Sequence, residues 1–134
     1  MTARNGTFVK QQFGAKRPKS NPLYFKGQIF LLTSRKTYSS AACLAAACKE
    51  YNIAAIVGQE TGEPTCFTAD WVPVKLPNTQ LVFAISSQRF ILAGGKCDGK
   101  GVEPDYLIER TGDEKAVDLE MDFVKNLILN KAEK

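Results

Sequence analysis

The feature that most restricts the fold is the stretch "IFLLTSRKTYSSAACLAAACKEYNIAAIVG", residues 29–58. Four apolar residues lead into a polar turn, then a segment built of Ala, Cys and Leu, then a second apolar run. A strand with one wet face alternates apolar and polar side chains. Continuous runs like these predict strands covered on both faces, as in parallel sheets. Between them, residues 40–51 are strong helix formers, with Thr37 or Ser39 available as cap and Asn52 near the helix end. Residues 25–58 therefore predict a strand, helix, strand unit with parallel pairing and a right-handed crossover. Small side chains nearly all round the helix predict that it is buried close to its sheet.

The remaining chain adds shorter elements. "GTFVKQQFG" alternates and predicts a short strand, followed by a basic, turn-rich loop at about 14–24. "ETGEPTCFTAD" reads as a turn-rich loop, and "WVPVKLP", "QLVFAISSQRFIL" and "DYLIE" as strands divided by Pro, Asn and Gly. "AVDLEMDFVKNLILNKAEK" predicts a closing helix with Val117, Met121, Val124, Leu127 and Ile128 on its apolar face. With 134 residues and no internal repeat, residues 1–134 form a single α/β domain that needs no disulfide to fold.

Charge and cysteine usage narrow the function classes. Arg4, Lys10, Lys16, Arg17, Lys19, Lys26, Arg35 and Lys36 precede the first acidic residue, a bias that can signal nucleic acid. Lys16, Arg17 and Lys19 flank Pro18 in a polar loop, however, and no clustered aromatic surface accompanies them, so a solvated loop and no nucleic-acid partner are expected. No apolar segment approaches the length of a membrane span or a signal peptide. Cys43, Cys48, Cys66 and Cys97 show no CxxC pattern and the chain has no histidine, so no metal site is expected and buried thiols are the default. No cofactor motif is present.

Ser39 and Ser40 at the helix start allow two readings. Serine there commonly satisfies free backbone N–H groups. A serine nucleophile also suits that place, because the helix start supplies N–H groups and a positive dipole end for an oxyanion, with the amide of Ser40 as donor. Local chemistry leaves the choice open.

Three motifs bear on it: Thr37-Tyr38-Ser39-Ser40-Ala41, Gly58-Gln59-Glu60-Thr61-Gly62 and Gly101-Val102-Glu103-Pro104-Asp105. In this order, over about residues 24–129, the chain resembles the C-terminal half of the tail-specific, C-terminal-processing serine peptidases. The resemblance implies a partial crotonase-like (ClpP-like) superhelical α/β core. It also implies Ser39 as nucleophile, the Ser40 amide in the oxyanion hole, and Asp98 as a carboxylate assisting the base, with Glu103 as the alternative and an Asp-Gly turn as the plain structural reading of Asp98. Thr61 and Gly62 are implied at the substrate cleft, with turn geometry as the other reading of Gly62, and Asp105 as a structural residue.

Two departures stand out. Pro64 occupies the place of the lysine in the Ser-Lys branch, and the histidine of the branch similar to tricorn core peptidases is absent. The resemblance places that histidine and a glycine-rich oxyanion segment upstream, so the chain is expected to be the C-terminal part of a longer peptidase, inactive alone. Its expected partners are that N-terminal half and a peptide or protein substrate. The alternatives are a non-catalytic peptide- or protein-binding module on the same fold and, last, an acyl-CoA enzyme of the crotonase class. An extracytoplasmic, periplasmic or secreted, location is implied by resemblance alone; oligomeric state is left open.

Overall fold

A computed structural model of the chain describes residues 7, 9, 10, 21–110 and 118–132. Most of the strand expected at 6–14, most of the basic loop and Val117 lie outside the described residues. The element order is β1 (Phe30–Thr33), α1 (Ser40–Glu50), β2 (Ala55–Gly58), β3 (Cys66–Lys75), β4 (Val82–Ile91), β5 (Tyr106–Leu107) and α2 (Leu119–Ala132).

The apolar runs at 29–32 and 53–57 become parallel neighbours. β1 pairs with β2 from Phe30↔Ala55 to Thr33↔Gly58, and β2 pairs in parallel with β5 through Val57↔Tyr106 and Gly58↔Leu107. The sheet order is β1-β2-β5, and Ile56 and Val57 of the central strand are wholly buried. Ala45 and Ala46 of α1 pack with Val102, flanked by Leu31 and Leu92. Alanines at these positions let the helix backbone approach the sheet, which a larger side chain would hold away.

Burial of α1 is one-sided. Ala42, Ala45, Ala46 and Cys48 face inward, whereas Leu44 is 54% exposed, so the expected all-round burial is corrected: the sheet covers one face only. Asn52 ends the helix in the left-handed conformation at φ 53°, with the Ile53 amide donating to the Cys48 carbonyl at 2.9 Å. Asparagine tolerates that conformation better than most residues, so it closes the helix where glycine usually would.

Asp105 knits the unit together. Its Oδ2 accepts the Ile56 amide at 2.8 Å, its Oδ1 accepts Lys49 Nζ at 2.6 Å, and its own amide donates to the Ile56 carbonyl at 2.8 Å. One side chain thus fixes β2, the approach to β5 and the last turn of α1, the structural role expected of it.

The inward face of α2 is displaced from the expected one. Glu120 and Val124 are buried, Phe123 and Leu127 are half-buried, and Met121 and Ile128 are exposed. Glu120 goes inward because Arg110 meets its carboxylate with two N–H groups, Nε at 3.1 Å and the second at Oε2. A bidentate guanidinium offsets the cost of burying the charge. Phe123 also packs on Tyr106 of β5, ring centroids 5.4 Å apart.

β3 and β4 form a separate antiparallel ribbon, paired from Cys66↔Ile91 to Lys75↔Val82. Cys66 to Asp70, expected in a loop, belong to β3, held by the Phe67–Phe90 ring stack and by a disulfide between Cys66 and Cys97. The disulfide corrects the expectation of four buried thiols: Cys97 is exposed, Cys43 is half-buried, and Cys48 alone is a buried thiol. A separation of 31 residues carries no recognisable spacing, and β pairing rather than sequence proximity brings the two sulfurs together.

Candidate functional site

The carboxyl ends of β1, β2 and β5 share one edge of the parallel sheet, the edge where open α/β sheets place their sites. A turn from Ser34 to Thr37 leaves β1: the Thr37 amide donates to the Ser34 carbonyl at 2.8 Å, and Thr37 Oγ1 accepts the Ser34 amide at 3.0 Å. With Thr37 spent on this turn, Ser39 becomes the residue preceding α1.

Ser39 does not cap the helix with its hydroxyl. It sits at φ 54°, ψ −129°, makes no side-chain cap bond, and is exposed. Positive φ is costly for a residue with a Cβ, about 1–3 kcal/mol, and persists only where the surroundings impose it. The conformation leaves the hydroxyl without a protein partner among the described residues. The Ser40 amide likewise makes no protein hydrogen bond among them, while the next amide, of Ala41, donates to the Tyr38 carbonyl at 3.2 Å. An exposed hydroxyl therefore stands beside a free N–H at the positive end of a helix dipole.

The loop after β2 folds over this turn. Gly58, at φ 124°, ends β2 so close to β1 that a Cβ there would lie 2.1 Å from the Thr33 carbonyl oxygen. Gly62 presses against the Arg35 carbonyl and the Tyr38 ring, where a Cβ would come within 2.0 Å and 2.5 Å. Thr61 is buried, its hydroxyl donating to the Glu63 carbonyl at 2.9 Å and accepting the Val102 amide at 2.8 Å. Glu63 then donates its amide to the Thr37 carbonyl at 3.4 Å, and its Oε2 accepts the Ser39 amide.

Glu63 had no role in the sequence reading. One signal pointed to it: the first turn of α1 has no acidic residue of its own, so the positive helix end was open to a carboxylate from elsewhere. Burial pushes the Cys43 thiol up from its ordinary value, and the nearby Glu63 carboxylate adds to the effect, so the cysteine one turn after Ser39 stays neutral.

The loop after β2 thus meets the Ser34–Ser40 turn through Gly62 against Arg35 and Tyr38 and through Glu63 on the Ser39 amide, while Thr61 bonds to Glu63 and Val102. Asp98 falls elsewhere: its Oδ1 accepts the Lys100 amide at 3.1 Å, and it lines a cavity of about 370 Å³ with Lys49 and Glu50 of the last turn of α1. At 1.5 Å per residue, that end of the helix lies about 15 Å from Ser39. Glu103, ion-paired to Lys100 at 3.3 Å, lines that same cavity and a second one of about 590 Å³ at the strand ends with Arg35, Gln59, Glu60 and Arg110.

Among the described residues, no group of three or more His, Cys, Asp or Glu is placed to hold a metal ion, and no helix is long and apolar enough to cross a membrane. No curated protein matches the chain. The model of peptidase family S41 matches residues 1–108 and so takes in the turn, the loop over it and the Gly-Val-x-Pro-Asp segment. The chain belongs to peptidase family S41.

Proposed function

We propose that the protein is a serine-type peptidase in which Ser39 is the nucleophile and the Ser40 amide an oxyanion donor. The observation that carries this is the backbone of Ser39: a non-glycine residue at φ 54°, exposed, with no cap bond, beside a free helix-start amide. A cap alone needs neither the positive φ nor the unbonded hydroxyl. That Glu63 already rests a carboxylate oxygen on the neighbouring amide supports the preference of this helix end for a negative oxygen.

Ser39 Oγ attacks the scissile carbonyl carbon, its proton passes to a general base, and the carbonyl oxygen takes the negative charge toward the Ser40 amide. Collapse of the adduct releases the amine, which receives the proton. Water then opens the acyl-enzyme by the same route. The base comes from outside these 134 residues, which contain no histidine and carry Pro64 where a dyad lysine belongs. Asp98 and Glu103 line one cavity and are the two carboxylates available to assist that base; Glu103 also lines a second cavity with Arg35 of the Ser39 turn. Thr61 and Gly62 shape the cleft wall, Gly62 by its closeness to the Tyr38 ring. On this reading the core is the C-terminal portion of a crotonase-like peptidase domain. The Cys66–Cys97 disulfide supports an extracytoplasmic setting, where such bridges persist.

Kinetics on the longest native form test the assignment. Ser39→Ala is expected to abolish peptide hydrolysis to the background of the assay with the fold unchanged by circular dichroism. Retained hydrolysis in that variant overturns it. The missing histidine favours a second reading, a non-catalytic peptide-binding module, under which the wild-type native form binds peptide and never cleaves it.

A further inference from the structure

We propose that Glu63 is a positioning residue for the nucleophile, holding the Ser39 backbone in its left-handed conformation from outside the helix; the proposal rests on the reading of Ser39 as nucleophile. The backbone of Glu63 and one of its carboxylate oxygens are engaged. Its amide donates to the Thr37 carbonyl, its carbonyl accepts the Thr61 hydroxyl, and its Oε2 accepts the Ser39 amide. The carboxylate is therefore anchored by its own backbone on either side, on a loop that Gly62 seats against the Arg35 carbonyl and the Tyr38 ring. A strained serine needs such an external hold at its amide, because α1 holds only its carbonyl, which accepts the Cys43 amide at 3.0 Å, and offers no side-chain cap bond and no acidic residue in its first turn.

The geometry divides two tasks between neighbouring amides. Glu63 takes the N–H of Ser39, which restrains the peptide plane entering the nucleophile and so its φ, and leaves the N–H of Ser40 for the oxyanion. Were the carboxylate on the Ser40 amide, its charge would repel the oxygen it had to make room for. A neutral acceptor of the same shape would hold the backbone equally well, so geometry rather than charge is the expected contribution. Glutamine should rescue what alanine loses.

The test has two arms. On this chain, hydrogen exchange at the Ser39 amide is compared in wild type, Glu63→Gln and Glu63→Ala. Exchange about tenfold or more faster in the alanine variant only, with Ala45 and Ile56 amides unchanged, is expected for loss of one local hydrogen bond. In the longest native form, Glu63→Ala is expected to slow kcat by about 10- to 100-fold with KM held, and Glu63→Gln to stay near wild type. Unchanged exchange in Glu63→Ala, or equal kcat losses in the two variants, overturns the positioning role. Activity surviving in Ser39→Ala overturns instead the nucleophile on which the role depends, while the exchange arm reports on the Glu63 contact independently.

Discussion

The parallel unit and the β3–β4 ribbon are built of much the same residues, yet they end in opposite environments. Ile56 and Val57 of the central strand β2 are wholly buried on its two faces, whereas on the ribbon Val72 and Ile85 are about half exposed and Trp71 is 67% exposed. The difference is cover, not composition. α1 and α2 close over the parallel sheet, while the ribbon, paired only with itself, has no layer laid across it among the described residues. An isolated two-stranded ribbon is marginal in water, so the Cys66–Cys97 bridge and the Phe67–Phe90 stack at its base become its chief ties.

That contrast can be broken most severely in the core. Ile56→Ala removes a fully buried side chain of the central strand and is expected to cost about 3–5 kcal/mol in urea unfolding. A loss below 1 kcal/mol would mean that the parallel unit is no better packed than the ribbon. Next, reducing Cys66–Cys97 opens a loop of 31 residues and is expected to lower stability by about 3 kcal/mol, with amide protection lost first across β3 and β4 and last in β2. Simultaneous loss in both regions would make them one cooperative unit.

Acid should act on the parallel unit and its α2 cover. The Arg110 guanidinium holds Glu120 below the usual carboxylate range. Burial raises Asp105, but the Ile56 amide and the Lys49 ammonium outweigh it and leave that carboxyl below its ordinary value too. Since both folded values lie below the unfolded ones, their stabilisation is complete above the ordinary carboxylate range and fades as pH falls below about 4. Asp105→Asn should flatten this pH dependence and cost about 1 kcal/mol at neutral pH, the side chain being partly exposed. Smallest of all, Val72→Thr and Ile85→Thr on the ribbon are expected to change stability by less than about 0.5 kcal/mol each.

The same contrast separates what was legible in the sequence from what was not. Uninterrupted apolar runs around a small-residue helix announced β1, α1 and β2, because burial on both faces leaves that signature in the order of residues. On α2 the periodicity announces Val124 and Leu127 as inward residues but not Glu120, whose burial depends on an ion pair with Arg110 that no helical periodicity reveals. Pairing across 31 residues hid the disulfide, and the loop expected at Cys66–Asp70 became strand because the partner Gln88–Ile91 segment was there to receive it. At the site, motif order points to the family, whose model matches residues 1–108, and to the Ser34–Ser40 turn and the loop after β2 as the segments to compare. Neither the left-handed backbone of Ser39 nor the reach of Glu63 could be read, since both depend on how the loop after β2 folds back over the turn.

The most direct measurement of the central claim is covalent labelling. Treated with a fluorophosphonate, the longest native form should gain one adduct per chain, mapped by mass spectrometry to Ser39 and absent from Ser39→Ala. An adduct at any other residue, or none on a form that cleaves peptide, would contradict Ser39 as the nucleophile.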